Sequence, residues 1–221
     1  MKSIRNLAVI AFALMVIIAC GRRTENPALI SERLEPGEMP EGALVSNLDL
    51  TQSTVAWTGS KVLGQHNGTI GISSGELYLV ENQIVGGRIV IDMTQIVVVD
   101  ITDPGMNASL AGHLKSPDFF SVDSFPQAYF EMAQIAMIEG ALEGEPNYTI
   151  RGNLTVKGIT HGIEFPATVS IDQGVLRAQA NFDLDRTQWN VKFGSGRFIE
   201  GLGDNLIHDN FNLNLDVVAL L

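Results

Sequence analysis

Apolar and polar residues alternate one for one along much of this chain, and that period of two limits the folds open to it. Tyr148, Ile150, Gly152, Leu154 and Val156 alternate with Thr149, Arg151, Asn153, Thr155 and Lys157. Ile163, Phe165, Ala167, Val169 and Ile171 form a second such face, and Leu176, Ala178, Ala180, Phe182 and Leu184 a third. Phe211, Leu213, Leu215, Val217 and Ala219 form a fourth. A helix would scatter these side chains around its axis, whereas a strand sends alternate ones to opposite faces, one buried and one wet. Shorter β-rich runs at 54–59, 68–72, 75–80 and 87–93 fit the same scheme, bounded by Gly, Asn or Ser. A further strand region at 122–138 is interrupted by Phe125-Pro126. Eight or so antiparallel strands must hide their edges, and closure into a barrel does so most completely; an open two-sheet sandwich is the alternative.

One segment breaks this rhythm. In residues 107–120, NASLAGHLKSPDFF, an Asn or Ser start precedes Leu110 and Leu114, four apart, and Pro117 stops the run. The spacing predicts one short helix over an end of the barrel, as a lid. Turns are expected at Glu81-Asn82, Glu139-Gly140, 144–147 and Asp172-Gln173-Gly174.

The N-terminus reads differently. Lys2 and Arg5 precede an unbroken apolar stretch from Leu7 to Ala19, and small residues surround Cys20, the single cysteine. This pattern predicts a lipoprotein signal peptide at 1–19, with Cys20 acylated and becoming the new N-terminus. The apolar run is shorter than the roughly 20 residues of a spanning helix; an uncleaved short anchor is the alternative. Residues 20–47, with Pro27, Pro36 and Pro40 and many charges, are expected to form a flexible tether. A first helix through 28–34 is the other reading. Residues 48–221 then form one β domain, long enough for a single core. With no second cysteine, no internal disulfide can form. The expected location is the cell envelope, lipid-anchored, facing the periplasm or on the outer membrane, the latter favoured by Gly21 after the cysteine.

The formal net charge is −11, and loss of Lys2 and Arg5 with residues 1–19 would make it −13. A chain this acidic is not expected to bind nucleic acid, which demands basic surfaces. With 45% hydrophobic and 18% charged residues, the composition is that of a globular fold. No Gly-x-Ser-x-Gly elbow, His-Glu-x-x-His pair or phosphate-cradling loop is present. The four histidines are far apart and show no metal-ligand spacing. No enzyme activity, metal or cofactor is therefore expected.

Several blocks resemble the YceI-like family. They are STVAWTGSKVLGQHNGTIGISSGEL (53–77), GHLKSPDFFSVDSFPQAYF (112–130), GNLTVKGITHGIEFPATV (152–169), DRTQWNVKFGSG (185–196) and LGDNLIHDNFNLNLDV (202–217). The resemblance runs in order from about Leu48 to Val218. It implies a lipocalin-like antiparallel barrel, exported from the cytoplasm, that holds an isoprenoid chain such as a polyprenyl phosphate or a quinone tail. Carriage or sequestration of an apolar lipid is thereby implied, not catalysis. One departure stands out. Many members open the first strand with Asp-x-x-His-Ser, where this chain has Asp49-Leu-Thr-Gln-Ser53, with Gln52 at the His position.

An eight-stranded barrel is just wide enough for one slender ligand if side chains do not fill it. The expected apolar wall is Trp57, Ile70, Ile89, Ile91, Tyr129, Leu154, Phe165, Phe182, Trp189 and Phe193. Met93, Met106, Met132 and Met137 add adaptable thioethers. Candidates for a head group at the mouth are His66, His113, Lys115, Arg186 and Lys192, with Arg186 foremost because a guanidinium forks onto oxygen acceptors. Arg186 could equally close the last strands through Asp183, Asp204 or Asp209, and His113 could cap a backbone carbonyl. The rival functions are a filled barrel docking an unknown protein partner and an envelope lipid hydrolase dependent on His113 or His208.

Overall fold

The computed structural model describes residues 26–221; Cys20 and the leader expected at 1–19 lie outside the described residues. Ten strands and one helix follow in order: β1 (Leu29–Ser31), β2 (Leu44–Asn47), β3 (Thr54–Lys61), β4 (Gly64–Val80), β5 (Gln83–Val98), α1 (Pro104–Lys115), β6 (Gln127–Met137), β7 (Tyr148–Val156), β8 (Ile159–Asp172), β9 (Val175–Asp185) and β10 (Asn210–Leu220). β3 to β10 pair with their chain neighbours throughout, and β10 returns to β3, so eight antiparallel strands close a ring. The expected all-β, lipocalin-like barrel with one short helix is what the chain forms.

Local chemistry sets the hairpins. Glu81-Asn82, Lys157-Gly158 and Gln173-Gly174 all have positive φ at both positions, the two-residue turn whose twist matches that of the flanking strands. The runs at 68–72 and 75–80 are not separate strands. Both lie in the 17-residue β4, whose register against β5 shifts between Ile72 and Ser74. Ser73 is thus a bulge that bends one long strand around the barrel, not a turn. α1 also begins earlier than the spacing predicts, because Asp103 caps it by accepting from the Met106 amide and Pro104 sits in its first turn.

Inward residues fill much of the interior. Phe165 and Phe182 stack at 4.2 Å between centroids, and Phe130 tilts against Phe165 at 5.7 Å. Around them pack Ile150, Leu154, Ile163 and Leu184. Leu77, Leu79, Ile89, Leu176 and Val217 fill the end beyond.

The segment expected to be a flexible tether from 20 to 47 is instead joined to the barrel at two stretches of its described part, around 28–34 and at 44–47. The β8–β9 ladder runs only from Asp172↔Val175 to Thr168↔Gln179. Above it β1 enters the gap, antiparallel to β8 through Leu29↔Glu164, Ile30↔Ile163 and Ser31↔Gly162. On its other side the Ala28 amide donates to Asp183 O at 2.9 Å, and the Asp183 amide donates to Asn26 O at 2.9 Å. Ala28 turns into the core and Ile30 packs against it, while Leu29 faces out. Next, buried Asn153 on β7 clamps the Leu34 backbone, accepting from its amide at 2.8 Å and donating to its carbonyl at 3.0 Å. Gly162 makes room for the crossing, since a Cβ there would meet Ser31 Oγ at 2.4 Å and Glu32 O at 2.6 Å. Three alternating residues are too short a run to stand out as a strand beside the Pro and charges around them.

The aromatic stack yields a prediction. Phe182→Ala should lower unfolding free energy by about 3–5 kcal/mol, measured by urea denaturation, and Phe182→Leu by much less. Equal costs would mean that the ring is not packed as described.

Candidate functional site

Closure leaves one end of the barrel incompletely filled. A cavity of about 140 Å³ lies there, close to the roughly 150 Å³ that holds one benzene in an engineered core. Its walls are Trp57, Ile70, Ile96 and Phe211, from β3, β4, β5 and β10. Its roof is Leu110 and Leu114 of α1 with Phe119 and Phe120. Trp57 lies where it does because Gly68 is directly opposite on β4. A Cβ at Gly68 would stand 2.7 Å from the indole and 1.8 Å from Val97 O. The buried Trp57 Nε1 has no hydrogen-bond partner among the described residues.

α1 is held at its ends. Asn107 Nδ2 donates to Val98 O at 2.8 Å and Ile101 O at 3.0 Å. At the other end His113 sits 3.1 Å from an Asp118 oxygen, with its ring edge-on to Phe119 and to Phe193. No α1 residue is fully buried. The helix is a roof resting on two attachments, in keeping with the expected lid.

The rim is polar. Lys61, Gln65, His66, Arg186 and His208 all line the cavity, and among the described residues no carboxylate does. His66 Nδ1 lies 2.8 Å from Asp100. Burial pushes the Asp100 carboxyl up, but bonds from the Asn67 amide and His66 outweigh this and leave it below the ordinary range. Arg186 is only 5% exposed. It donates through Nε to His208 O at 3.2 Å, Nη1 to Val191 O at 2.8 Å and Nη2 to Ile207 O at 3.2 Å. Asp209 stands 3.8 Å away. Burial pulls Arg186 below its ordinary range, against the opposing pull of Asp209 and then Asp185; a guanidinium nonetheless stays charged in proteins. Arg186 therefore staples the chain entering β10, through carbonyls more than through Asp209, and it also borders the cavity.

The turn that presents Arg186 is built by its neighbours. Asp185 accepts from the Thr187 amide and hydroxyl and from Arg197 Nη1 at 2.9 Å. The same Asp-x-Thr-Gln device recurs at Asp49-Thr51-Gln52 and Asp92-Thr94-Gln95. It also accounts for Gln52, the departure from the family pattern, which donates to Asp49 at 2.7 Å in an exposed turn.

Of the expected wall, Trp57 and Ile70 line the cavity. Ile89, Leu154, Phe165 and Phe182 face inward but belong to the filled core, and Ile91 packs against it. Trp189 is buried in a 3-10 turn after β9, its Nε1 donating to Leu154 O at 3.1 Å. Two expectations are corrected. Tyr129 points outward, bonded to Gln127 and under Arg88, because its neighbour Phe130 takes the inward place on β6. Phe193 is 40% exposed, in a loop against His113 and Phe119. Of the expected head-group residues, His66 and Arg186 reach the cavity. His113 is bound to Asp118, Lys192 lies over the Phe198 ring at 4.6 Å, and Lys115 ends α1. Lys61, Ile96, Phe119, Phe120 and Phe211 were not among the candidates, and His208 was named only for the rival hydrolase reading. Only Phe211 carried a signal, as the inward head of an alternating strand.

The YceI-like domain family matches residues 47–219 of this chain. Among solved structures, the fold is similar to BcnA of Burkholderia cenocepacia, with 20% identity and a TM-score of 0.60 over 78% of this chain and 99% of that one. It is also similar to a polyisoprenoid binding domain from Saccharophagus degradans implicated in plant cell wall breakdown. There the identity is 13% and the TM-score 0.56, over 80% of this chain and 97% of that one. At these identities the likeness is one of fold. No curated protein matches the chain significantly.

The turn at Asp185 makes a pH prediction. Burial raises this carboxyl, but the bonds from Thr187, Arg197 and Gln188 win and hold it below the 3.8 of an unperturbed Asp. The unfolded state then binds more protons, so this stability is present above 3.8 and lost as pH falls through the lower folded value. Urea midpoints should drop below about pH 4, and less steeply in Asp185→Asn. Parallel curves would mean the turn contributes nothing.

Proposed function

The chain belongs to the YceI-like family, and on that premise we propose that it binds the chain of an isoprenoid-type lipid inside its barrel, for carriage or sequestration rather than turnover. The observation that carries this reading is the cavity itself, with an apolar wall, an apolar roof and a rim of Lys61, His66, Arg186 and His208. That arrangement suits an amphiphile with its tail inward and an oxygen-bearing head at the rim. The fold's likeness to a polyisoprenoid binding domain is in keeping with it. Area removed from water is the driving force, at roughly 25 cal/mol per Å² before ordering costs. The cavity takes only the first part of such a chain; the rest must displace the side chains stacked beneath it.

In the same reading Cys20 is acylated and holds the barrel to an envelope membrane. The sequence around it, with Gly21 following, supports the outer membrane.

The filled interior around Phe130, Phe165 and Phe182 favours a second reading, a barrel that docks a protein partner and carries no lipid. Ile70→Trp decides between them. It should fill the cavity and weaken uptake of a diprenyl benzoquinone at least tenfold by equilibrium dialysis, with the urea midpoint little changed. Unchanged uptake would contradict an interior site. Cys20→Ser should release the protein from membranes into the soluble fraction with its uptake intact; persistent membrane association would contradict acylation as the anchor.

A further inference from the structure

We propose that residues 27–34 are a displaceable stave of the barrel, whose release opens a side port between β8 and β9 for the lipid chain; the inference rests on the carriage reading above. Four features of the seam point there.

The first is how weakly the stave is bound to β9. Above Thr168↔Gln179 no ladder joins β8 directly to β9. Among the described residues, the stave and Asn26 just before it meet β9 through two backbone hydrogen bonds, both at Asp183. The register of the lower ladder would place Pro166 opposite Asn181, and proline has no amide to donate. The two strands could zip up behind a departing stave only with that ladder bond missing.

The second is how little apolar surface holds it. Ala28 is its one buried side chain, and Ile30 is only partly buried. β9, by contrast, drives Phe182 and Leu184 into the core at 1% exposure each. Withdrawal of the stave therefore forfeits less side-chain burial than withdrawal of β9.

The third is what lies behind it. Ile163, Phe165 and Phe182, from the two strands it separates, belong with Ala28 to one cluster. This is the volume that a ligand longer than the 140 Å³ cavity has to enter. Parting β8 from β9 would unstack Phe165 from Phe182 and create that volume.

The fourth is the latch. Asn153 fixes Leu34 by two hydrogen bonds from an otherwise buried site. Gly162 leaves the stave no side chain to wedge against. Five residues separate Asn26 from Cys20, so an acyl anchor there would keep Asn26, just before the stave, within about 20 Å of the bilayer.

The test uses the full chain carrying Cys20→Ser, with Leu29→Cys and Glu164→Cys added at directly opposed positions. Loading of a diprenyl benzoquinone is followed by quenching of tryptophan fluorescence. Oxidation to the cross-linked form should slow loading at least tenfold, and reduction should restore it. Asn153→Ala should speed both loading and release severalfold. Hydrogen exchange without ligand should show the Ala28 and Asp183 amides opening together, faster than the β9–β10 ladder. Equal loading with and without the cross-link, in a protein that does load, would overturn the port and leave carriage standing. Stave amides as protected as the β9–β10 ladder would overturn it too. A wild-type protein that takes up no probe would contradict the carriage reading itself.

Discussion

A strand edge leaves amides and carbonyls that need partners, and this barrel depends on where its edges find them. The ring is not closed by its eight strands alone. β3 is eight residues long and β10 eleven, so β3 cannot cover its neighbour. β2 extends the wall, pairing with β4 while Ser46 Oγ donates to Leu220 O and Leu48 bridges Ala219. Ser53 locks the junction, its hydroxyl exchanging bonds with the Val218 amide and carbonyl. The matching gap between β8 and β9 is sealed by β1. Both repairs come from the N-terminal segment, which makes it part of the barrel rather than an appendage.

Closure also decides where a ligand site can be. The far end and middle of the interior are filled by packed side chains, and the cavity lies beneath α1. Arg186 controls that end. Its guanidinium is spent on three carbonyls from two separate segments, Val191 and the stretch at Ile207-His208, so it shapes the mouth as well as charging it. The rim carries Lys61, His66, Arg186 and His208, with Asp100 bonded to His66 and Asp209 3.8 Å from Arg186.

The fold was legible because alternation is a direct print of the pleat: the inward faces of β7, β8, β9 and β10 match the apolar series read from the sequence. Legibility failed where two inward choices competed or where backbone, not side chains, did the binding. Tyr129 and Phe130 are both aromatic neighbours, and only the pairing of β6 decides between them. Ser73 broke the alternation by bulging, which in sequence looks like a turn. β1 is held by main-chain bonds and by Asn153, neither of which leaves an apolar signature. The site was half legible for the same reason. Trp57, Ile70, His66 and Arg186 sit on or beside regular elements, whereas Phe119, Phe120 and His208 come from irregular segments whose positions depend on closure; Lys61 ends β3, where no apolar signature singles it out.

The central claim, that this barrel carries an isoprenoid-type lipid, is tested most directly by native mass spectrometry and lipid extraction on the protein purified from its own host. The account predicts a co-purifying prenyl species at close to one per chain. A folded protein that arrives empty, and stays empty when offered a quinone or a polyprenyl phosphate, would contradict it.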